Sequence, residues 1–376
     1  MRILQLFSDW KWTGPAAPML ELLLALRVRG HEVWLACPGP PPNETGLEAR
    51  ARAAGAAPDL SLTLGRGVRW LRDAADARHL RDFCSAREVE IVHAWHTRDH
   101  VLALRATAAR RRAGQAALVR SVKSAEPIAA TPWNRWLYGP GSDGVLCVSP
   151  GAAQRNERLR GGRPLAGAFG AVDTERFHPA PRSHALAQEL GLAPSQRVVG
   201  IVARAQRHRR FDLLLEATRE LAARHPDARL LVIGRGTHIE ETAREPARRL
   251  GIADRVVFAG YRGADYADVL RLCDVVTFLV PGSDGGCRAV LEAAACGIPA
   301  VTTRRGALPE IVRDGETGVL VDERPESLAA AWSALLADPS LRARMGRAAR
   351  ARAESCFTPA RLAEAAESLY RQALRR

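Results

Sequence analysis

The sequence predicts an α/β protein of two doubly wound domains, each with a parallel sheet between layers of helices, and a helical C-terminus. First, short apolar runs alternate with amphipathic segments, which is typical of parallel sheets covered on both faces. Second, this alternation stops at a proline-rich segment near the middle of the chain and then restarts. Third, the length of 376 residues exceeds what a single hydrophobic core commonly supports.

The first series of predicted elements defines a domain over residues 1–175. It begins with a strand at residues 2–8, "RILQLFS", followed by a loop that contains Gly14 and a helix that ends near Arg29. Four further strands are predicted in "GHEVWLACP", "VEIVHAWH", "AALVRSVKS" and "GVLCVSP". Ligands of such sheets bind at the carboxyl ends of the strands, so we expect functional residues in the loops that follow them.

The second series follows a predicted linker at residues 176–195 and defines a domain over residues 196–355. Its strands are predicted in "RVVGIVARA", "ARLLVIG", "RVVFAG", "DVVTFLV" and "IPAVTT". Its helices are predicted over residues 211–224, 238–250, 264–272 and 286–296. A C-terminal helix at residues 356–376 is expected to return to the first domain. We interpret the domains as Rossmann-like units that face each other across a central cleft.

The composition restricts the partners and the location. The net charge of +14 is compatible with nucleic acid or with an anionic membrane surface. No aromatic residues are interleaved with the candidate arginines for base stacking, so no nucleic-acid partner is expected. The sequence has no apolar run as long as a membrane span and no signal-peptide pattern. We therefore expect a cytoplasmic protein, with peripheral association at the inner face of the membrane as an open alternative.

No metal or other cofactor is expected. The seven cysteines are scattered without metal-ligand spacing, and the chain contains no Asp-x-Asp triplet of the kind that holds a metal-bound diphosphate. Any anionic ligand would then be neutralised by side chains and helix termini.

A glycine-rich turn forms the first candidate site. It follows the run "DVVTFLV" and places Gly285 and Gly286 between two acids, Asp284 and Glu292, at the start of a predicted helix. Glycines let a ligand approach the backbone closely, and a helix N-terminus favours anions. The alternative is structural: Glu292 pairs with Arg288 on a solvated helix face, and Asp284 caps the helix.

Two arginines form the second candidate site. Arg204 directly follows a predicted buried strand, and Arg209 lies just before an amphipathic helix. Their fork-shaped guanidinium groups suit a diphosphate, which offers several anionic oxygens. A basic surface loop is the alternative interpretation.

A series of motifs in the second half carries a family resemblance. In order, the motifs are "VAR" (202–204), "RRFDLLLEA" (209–217), "LLVIGRG" (230–236), "RVVFAG" (255–260), "DGGCRAVLEAAACGIPA" (284–300) and "LPEIVRDGETGVLV" (308–321). This series resembles the retaining glycosyltransferases of family 4, glycosyl transferases group 1, which have the GT-B fold. The resemblance is strong over residues 170–322 and loose elsewhere.

The resemblance implies a nucleotide-sugar donor, a glycan or lipid-linked acceptor, and a role for each matching residue. Arg204 and Arg209 would hold the donor diphosphate, Glu292 would hydrogen-bond the ribose, and Asp284 would contact hydroxyls of the donor sugar. The other implied donor-binding positions are Gly14 in a loop that closes over the donor, Tyr261 and Arg262 near the base, and Gly285, Gly286, Cys287 and Arg288 through their main chain.

Three departures from the family pattern stand out. Asp284 occupies a position where glutamate is usual, and Arg209-Arg210 replaces a Lys-Gly pair. Lys123 aligns with a position where the family often has histidine beside the donor sugar. Lys123 and Lys11 are the only lysines of the chain, and both fall in predicted strand-end loops. We therefore interpret both as candidate active-site cations, with chance placement as the alternative.

His93 is the third candidate catalytic residue, besides Asp284 and Lys123. It lies with His96 at a predicted strand end, where the family commonly has His-x-His. The alternative is a histidine whose hydrogen bonds are satisfied within the sheet. Four tryptophans near first-domain loops could line an acceptor pocket, enter a lipid interface or simply pack: Trp10, Trp12, Trp133 and Trp136.

The sequence as a whole predicts a retaining, metal-independent glycosyltransferase that moves a sugar from a nucleotide-diphosphate sugar to a glycan or lipid-linked acceptor. Cell-envelope polysaccharide synthesis is the expected role. One alternative is a catalytically degenerate nucleotide-sugar-binding protein of the same fold, which the departures at Asp284 and Lys123 would favour. Another is a basic membrane-surface or nucleic-acid binder without catalysis.

Overall fold

The computed structural model describes residues 1–63, 70–282 and 285–375, which fold into two compact units. The first unit combines Met1–Ala171, Ser283–Gly286 and Pro359–Arg376, and the second combines Val172–Gly282 and Cys287–Thr358. Each unit contains one parallel six-stranded sheet with flanking helices. The predicted doubly wound α/β class is therefore confirmed.

The first unit follows the predicted alternation of strands and helices. Its strands are β1 (Arg2–Leu6), β2 (Glu32–Ala36), β3 (Ile91–Ala94), β4 (Ala117–Val122), β5 (Gly144–Cys147) and β6 (Leu165–Gly167). Its helices are α1 (Ala16–Val28), α2 (Leu47–Ala53), α3 (Trp70–Ala86), α4 (Thr97–Arg112), α5 (Pro132–Tyr138), α6 (Pro150–Asn156) and, from the end of the chain, α15 (Pro359–Leu374).

The sheet of the first unit has the order β2-β1-β3-β4-β5-β6. From β1 the chain proceeds to β2 on one side and then to β3 on the other, so the strand order reverses between β1 and β3. Loops diverge at such a switch point and leave a crevice at the carboxyl ends of the two strands. The loops after Leu6 and after Ala94 border this crevice.

The C-terminal helix α15 belongs to the core of the first unit. Its apolar residues recur at helical spacing and pack with buried residues of β1 and α1: Leu362, Ala363, Ala366, Leu369, Tyr370 and Ala373. Burial of this stripe is the physical reason that the end of the chain joins the first unit.

The second unit contains the remaining elements. Its strands are β7 (Arg197–Val202), β8 (Ala228–Ile233), β9 (Val256–Gly260), β10 (Val275–Phe278), β11 (Ala300–Thr303) and β12 (Gly318–Val321). Its helices are α7 (His184–Glu189), α8 (Phe211–Arg224), α9 (Glu245–Arg249), α10 (Tyr266–Leu270), α11 (Arg288–Ala295), α12 (Leu308–Ile311), α13 (Pro325–Ala337) and α14 (Pro339–Cys356). The sheet order is β12-β11-β10-β7-β8-β9, which puts its switch point between β7 and β10.

Several elements differ from the sequence-based expectations. The helix expected over 238–250 is a π-helical turn, Glu240–Arg244, followed by the short α9, because Pro246 supplies no amide to a continuous α-helix. Strands β6 and β12 were not predicted; they have three and four residues, too few for a clear pattern.

The proline-rich segment predicted as a linker lies within the second unit. It contains α7 and packs on its neighbours through specific side chains. Arg182 pairs with Asp274 at 2.7 Å, and the ring of Phe177 lies edge-on to Tyr266 with centroids 5.7 Å apart.

Across the described part of the chain, every helix is too short or too polar to cross a membrane.

Candidate active site

The switch point of the second sheet brings together the two arginines singled out in the sequence. Arg204 follows β7 and is exposed, and Arg209 ends a short 3-10 turn and is half-buried. Arg209 Nη1 donates a hydrogen bond of 2.6 Å to the carbonyl of Val280, just beyond β10. A Cβ at Gly282 would meet the Arg209 guanidinium, so the Arg209 side chain packs directly against the backbone of this glycine.

The electrostatics of this crevice favour an anion. Burial lowers the pKa of Arg209, the nearby Cys287 sulfur raises it, and the positive charge of Arg204 lowers it again. No carboxylate of the described residues contributes to this balance. A partly desolvated pair of guanidinium groups is therefore complementary to an anionic ligand such as a diphosphate.

The glycine-rich turn leads into the N-terminus of α11. Cys287, directly before the helix, has a left-handed backbone with φ 51° and ψ 43°, which is unusual for a residue other than glycine. The helix begins at Arg288, and its dipole adds partial positive charge near the arginines. Asp284 lies outside the described residues, so its predicted contact with the donor sugar stays a prediction.

Gly285 groups with the first unit through its contact with Lys123. The Gly285 N–H donates to the Lys123 carbonyl at 3.0 Å, and a Cβ at Gly285 would run into that same carbonyl. Glycine is thus required here for close approach of two backbones. Gly286 belongs to the same turn.

Glu292 lies in α11 with only 8% of its surface exposed. The Tyr266 hydroxyl donates to Glu292 Oε2 at 2.7 Å, and Arg288 Nε lies 3.9 Å from Oε1. The pairing of Glu292 with Arg288 agrees with the structural alternative given above. That alternative placed the pair on a solvated helix face, however, whereas Glu292 is buried. Burial and the Glu292 charge raise the pKa of Tyr266, so this hydroxyl remains a donor.

Tyr266 was missed in the sequence analysis. It lies in α10, six residues after β9, and this five-residue helix carries no sequence motif that marks a functional residue. The aromatic hydroxyl is functionally notable only because the fold brings α10 against α11.

The loop after β9 contains Tyr261 and Arg262. Tyr261 is 57% exposed, and the Arg235 guanidinium lies 4.9 Å from its ring centroid. Arg262 is held by Asp265 and Glu189, each at 2.8 Å. The Arg262 side chain therefore ties down the loop, whereas the Tyr261 ring is exposed at the surface.

Arg210, in place of the glycine usual in the family, adopts the backbone that a glycine would favour. Its φ of 58° and ψ of 42° lie in the left-handed region at the start of α8. Its guanidinium pairs with Glu323 at 2.8 Å and with Asp212 at 3.2 Å. These ion pairs offset part of the backbone cost.

The switch point of the first sheet contains His96 rather than His93. His96 follows β3, its side chain is 25% exposed, and its ring packs edge-on against Phe7, which follows β1. The buried Asp99 accepts hydrogen bonds from the main-chain N–H groups of Trp95 at 3.1 Å and His96 at 2.8 Å. Asp99 Oδ2 also lies 3.4 Å from His96 Nδ1.

Gly14 and Lys11 border the same crevice. Gly14 lies in the turn immediately before α1, and Lys11 is exposed with its ammonium 5.2 Å from the Trp10 ring centroid. Lys11 lies in the loop after β1, and Lys123 lies in the loop after β4. Both lysines therefore follow the carboxyl end of a strand, as the sequence predicted.

His93 is a core residue. It is fully buried in β3, with Nδ1 at 2.6 Å from the Tyr370 hydroxyl and Nε2 at 2.8 Å from Ser121 Oγ. Burial and the nearby Arg120 charge lower the pKa of His93 to about 3, so the ring is neutral. This placement favours the structural alternative over the catalytic prediction, because both ring nitrogens already have partners inside the sheet.

The folds of the two units and the anion-complementary switch point define a glycosyltransferase of the two-domain GT-B class. The chain belongs to glycosyltransferase family 4, as the sequence resemblance predicted. Residues 183–352 match the family model for glycosyl transferases group 1, and residues 13–176 match the model for Glycosyltransferase Family 4.

Two relatives illustrate the similarity in sequence. The chain is 32% identical over 363 residues to a GDP-mannose-dependent alpha-(1-6)-phosphatidylinositol monomannoside mannosyltransferase of Mycolicibacterium smegmatis, covering 90% of this chain and 89% of the relative. It is 39% identical over 209 residues to a D-inositol 3-phosphate glycosyltransferase of Segniliparus rotundus, covering 54% of this chain and 46% of the relative. The second match spans less than half of that relative.

Two solved structures share the fold at low sequence identity. A glycosyltransferase from Rickettsia africae superposes with a TM-score of 0.84 at 16% identity, covering 99% of this chain and 98% of the other. Anabaena HepE in complex with UDP and glucose superposes with a TM-score of 0.79 at 20% identity, covering 98% of this chain and 99% of the other.

Proposed function

We propose that this glycosyltransferase transfers a sugar from a nucleotide-diphosphate sugar to a glycan or lipid-linked acceptor, with retention of anomeric configuration and without a metal ion. The observation that carries the proposal is the pair Arg204 and Arg209 at the switch point of the second sheet. Arg209 is partly desolvated, repelled by Arg204, and close to a helix N-terminus. A diphosphate would supply a negative charge to balance these arginines, since no carboxylate of the described residues offsets the lowered pKa of Arg209.

The remaining donor contacts are those that the family resemblance implies. Glu292 accepts from the ribose hydroxyls while Tyr266 holds its other oxygen, and Tyr261 lies against the base. Asp284 contacts the sugar hydroxyls, and Lys123 supplies a cation beside them. Gly14 belongs to the loop that closes over the donor and excludes water.

The transfer step needs no nucleophile from the protein. The acceptor oxygen forms a bond to the anomeric carbon on the face from which the phosphate leaves, and the carbon–oxygen bond to the phosphate breaks. The acceptor proton passes to the departing diphosphate. Arg204 and Arg209 stabilise the negative charge that develops on this leaving group.

Charge neutralisation by these arginines supports metal independence. The sequence has no Asp-x-Asp triplet, and two neighbouring guanidinium groups would balance the charge of a diphosphate without a divalent cation. We therefore expect turnover to persist in EDTA.

A lipid-linked acceptor and a role in the cell envelope are supported by similarity. The Mycolicibacterium smegmatis relative, which aligns over most of both chains, is named for a GDP-mannose donor and a phosphatidylinositol monomannoside acceptor. Anabaena HepE was crystallised with UDP and glucose. We propose that the chain works at the inner face of the membrane on an acceptor of the lipid class.

A ligand panel with matched variants tests this proposal. GDP-mannose, UDP-glucose and other nucleotide sugars are screened by thermal shift, because a ligand that binds only the folded state raises the melting temperature. The best donor is then used in turnover assays with Arg204→Ala and with Arg207→Ala. Arg207 is a matched control in the same loop that pairs with Glu241 at the surface.

We expect Arg204→Ala to lower turnover by about a hundredfold, typical of one lost transition-state donor, and Arg207→Ala to have little effect. The anomeric configuration of the product is read by NMR. Binding without turnover of any donor would favour the degenerate sugar-nucleotide binder, and an inverted product would overturn retention.

A further inference from the structure

We propose that α5 and its flanking arginines form a docking surface for an anionic lipid bilayer. Within the described residues, four large apolar side chains are strongly exposed, and two of them, Trp133 and Trp136, are neighbours on this one short helix. Their ring centroids lie 5.2 Å apart with an interplanar angle of 32°. The two indoles thus form one continuous apolar patch.

The patch is held rigidly by the first unit. The Thr131 hydroxyl accepts from the Asn134 N–H at 3.2 Å and caps the start of α5. Leu137, in the last turn of the helix, is buried and anchors α5, and the Ser142 hydroxyl donates to the Leu137 carbonyl at 2.7 Å. The exposed indoles are therefore a surface of an ordered helix.

Positive charge flanks the indoles. Arg135 lies between them in sequence, and its Nε donates to the Ala130 carbonyl at 3.1 Å. Arg158, from the 3-10 turn that packs against α5, donates to the Ile128 carbonyl at 3.3 Å. Both arginines are exposed and bond to neutral carbonyls, so they add net positive charge around the aromatic pair.

This chemistry fits a bilayer interface. Indole rings favour the boundary between hydrocarbon and headgroups, and arginines near that depth attract anionic headgroups. The choice of a lipid surface rests on the proposed lipid-linked acceptor, which must be reached in a membrane. Single-stranded nucleic acid can also bind arginines and aromatic rings, and the experiment separates the two.

The test measures co-sedimentation of the full chain with vesicles. One set contains phosphatidylglycerol and phosphatidylcholine, and the other contains phosphatidylcholine alone. The variants are Trp133→Ala/Trp136→Ala and Arg135→Glu/Arg158→Glu. Val28→Ala is the matched control, because Val28 is the other strongly exposed apolar residue of the same unit, 89% exposed on α1.

We expect the wild type to bind the anionic vesicles and the tryptophan variant to bind at least about tenfold more weakly. We expect the arginine variant to lose about tenfold on anionic vesicles and the control variant to bind as the wild type does. Thermal unfolding and donor binding should be unchanged in all three variants. The two surface variants act independently, so misfolding of one leaves the other as a test.

Equal binding by wild type and tryptophan variant, absence of vesicle binding, or preference for an oligonucleotide over anionic vesicles would each overturn the docking surface. Donor turnover measured in the same samples with a water-soluble acceptor distinguishes this failure from failure of the proposed function. Loss of vesicle binding with retained turnover rejects only the surface.

Discussion

Replacement of His93 by glutamine separates a core histidine from a catalytic one. The ring is fully buried with both nitrogens hydrogen-bonded, so we expect His93→Gln to lower the free energy of unfolding by about 1–3 kcal/mol near neutral pH, the cost of disturbed buried hydrogen bonds. Turnover per folded molecule should be unchanged, since the ring faces Tyr370 and Ser121 rather than the crevice.

The dependence on pH gives the sharper readout. The folded-state pKa of His93 is lowered to about 3, whereas an unfolded histidine titrates near 6.5. Below about pH 6.5 the unfolded chain therefore binds a proton that the folded chain does not, and stability falls as the pH falls. One such histidine contributes a slope approaching about 1.4 kcal/mol per pH unit, or about 2 kcal/mol of lost stability at about pH 5.

The measurement is urea unfolding followed by tryptophan fluorescence at several pH values. All tryptophans except Trp332 lie in the first unit, so the signal reports the domain that contains His93. His100, whose pKa is also lowered to about 3 by burial, and His31 remain in both proteins. The two proteins thus differ in the slope of the unfolding free energy against pH only through the proton that His93 binds.

Between about pH 6 and pH 5, we expect the wild type to take up about one more proton on unfolding than His93→Gln does. An unchanged slope together with a loss of turnover greater than about tenfold would refute the reasoning, because it would mean that His93 acts in the chemistry and not in the core.

Substitutions at three further positions test the site. We expect His96→Ala to lower transfer to an acceptor by at least about tenfold while donor hydrolysis persists, since this partly exposed ring follows β3 at the switch point of the first sheet; full transfer in product assays would argue against it. Tyr266→Phe removes a 2.7 Å bond to a buried carboxylate and should weaken nucleotide binding about tenfold by calorimetry, an effect that should vanish in a Glu292→Ala background. Both Arg210→Gly and Arg210→Ala lose the pair with Glu323, but the glycine variant should be more stable by about 1 kcal/mol in urea unfolding, because only alanine retains the left-handed cost; equal stability would contradict this.

Local patterns predicted the elements whose signal is long and regular. The helix predicted over 211–224 has those same bounds, because its apolar residues recur at helical spacing along the whole stretch. The strand before Arg204 was also predicted, because its sequence is a continuous apolar run. By contrast, β6 and β12 are too short to show a period, and the proline-rich segment looked like a linker although its side chains pack.

Chemical type and strand-end position predicted part of the candidate site. Arg204, Arg209 and Glu292 were named because parallel sheets collect functional residues at the carboxyl ends of their strands. Tyr266 could not be named in this way, since its importance depends on α10 meeting α11. His93 and His96 are three residues apart with similar sequence surroundings, and only the three-dimensional contacts tell which ring faces the crevice.

The sequence by itself determined the fold class, the family and the chemical character of the donor crevice, because periodicity, glycine-rich turns and arginines at strand ends are all local signals. The tertiary structure alone decided which groups are buried and what they touch. Strand order in a parallel sheet is set by burial of whole helices and strands across long stretches of chain. The apolar contacts that hold α15 in the first unit, the neutral His93 and the Tyr266–Glu292 bond all follow from that long-range packing.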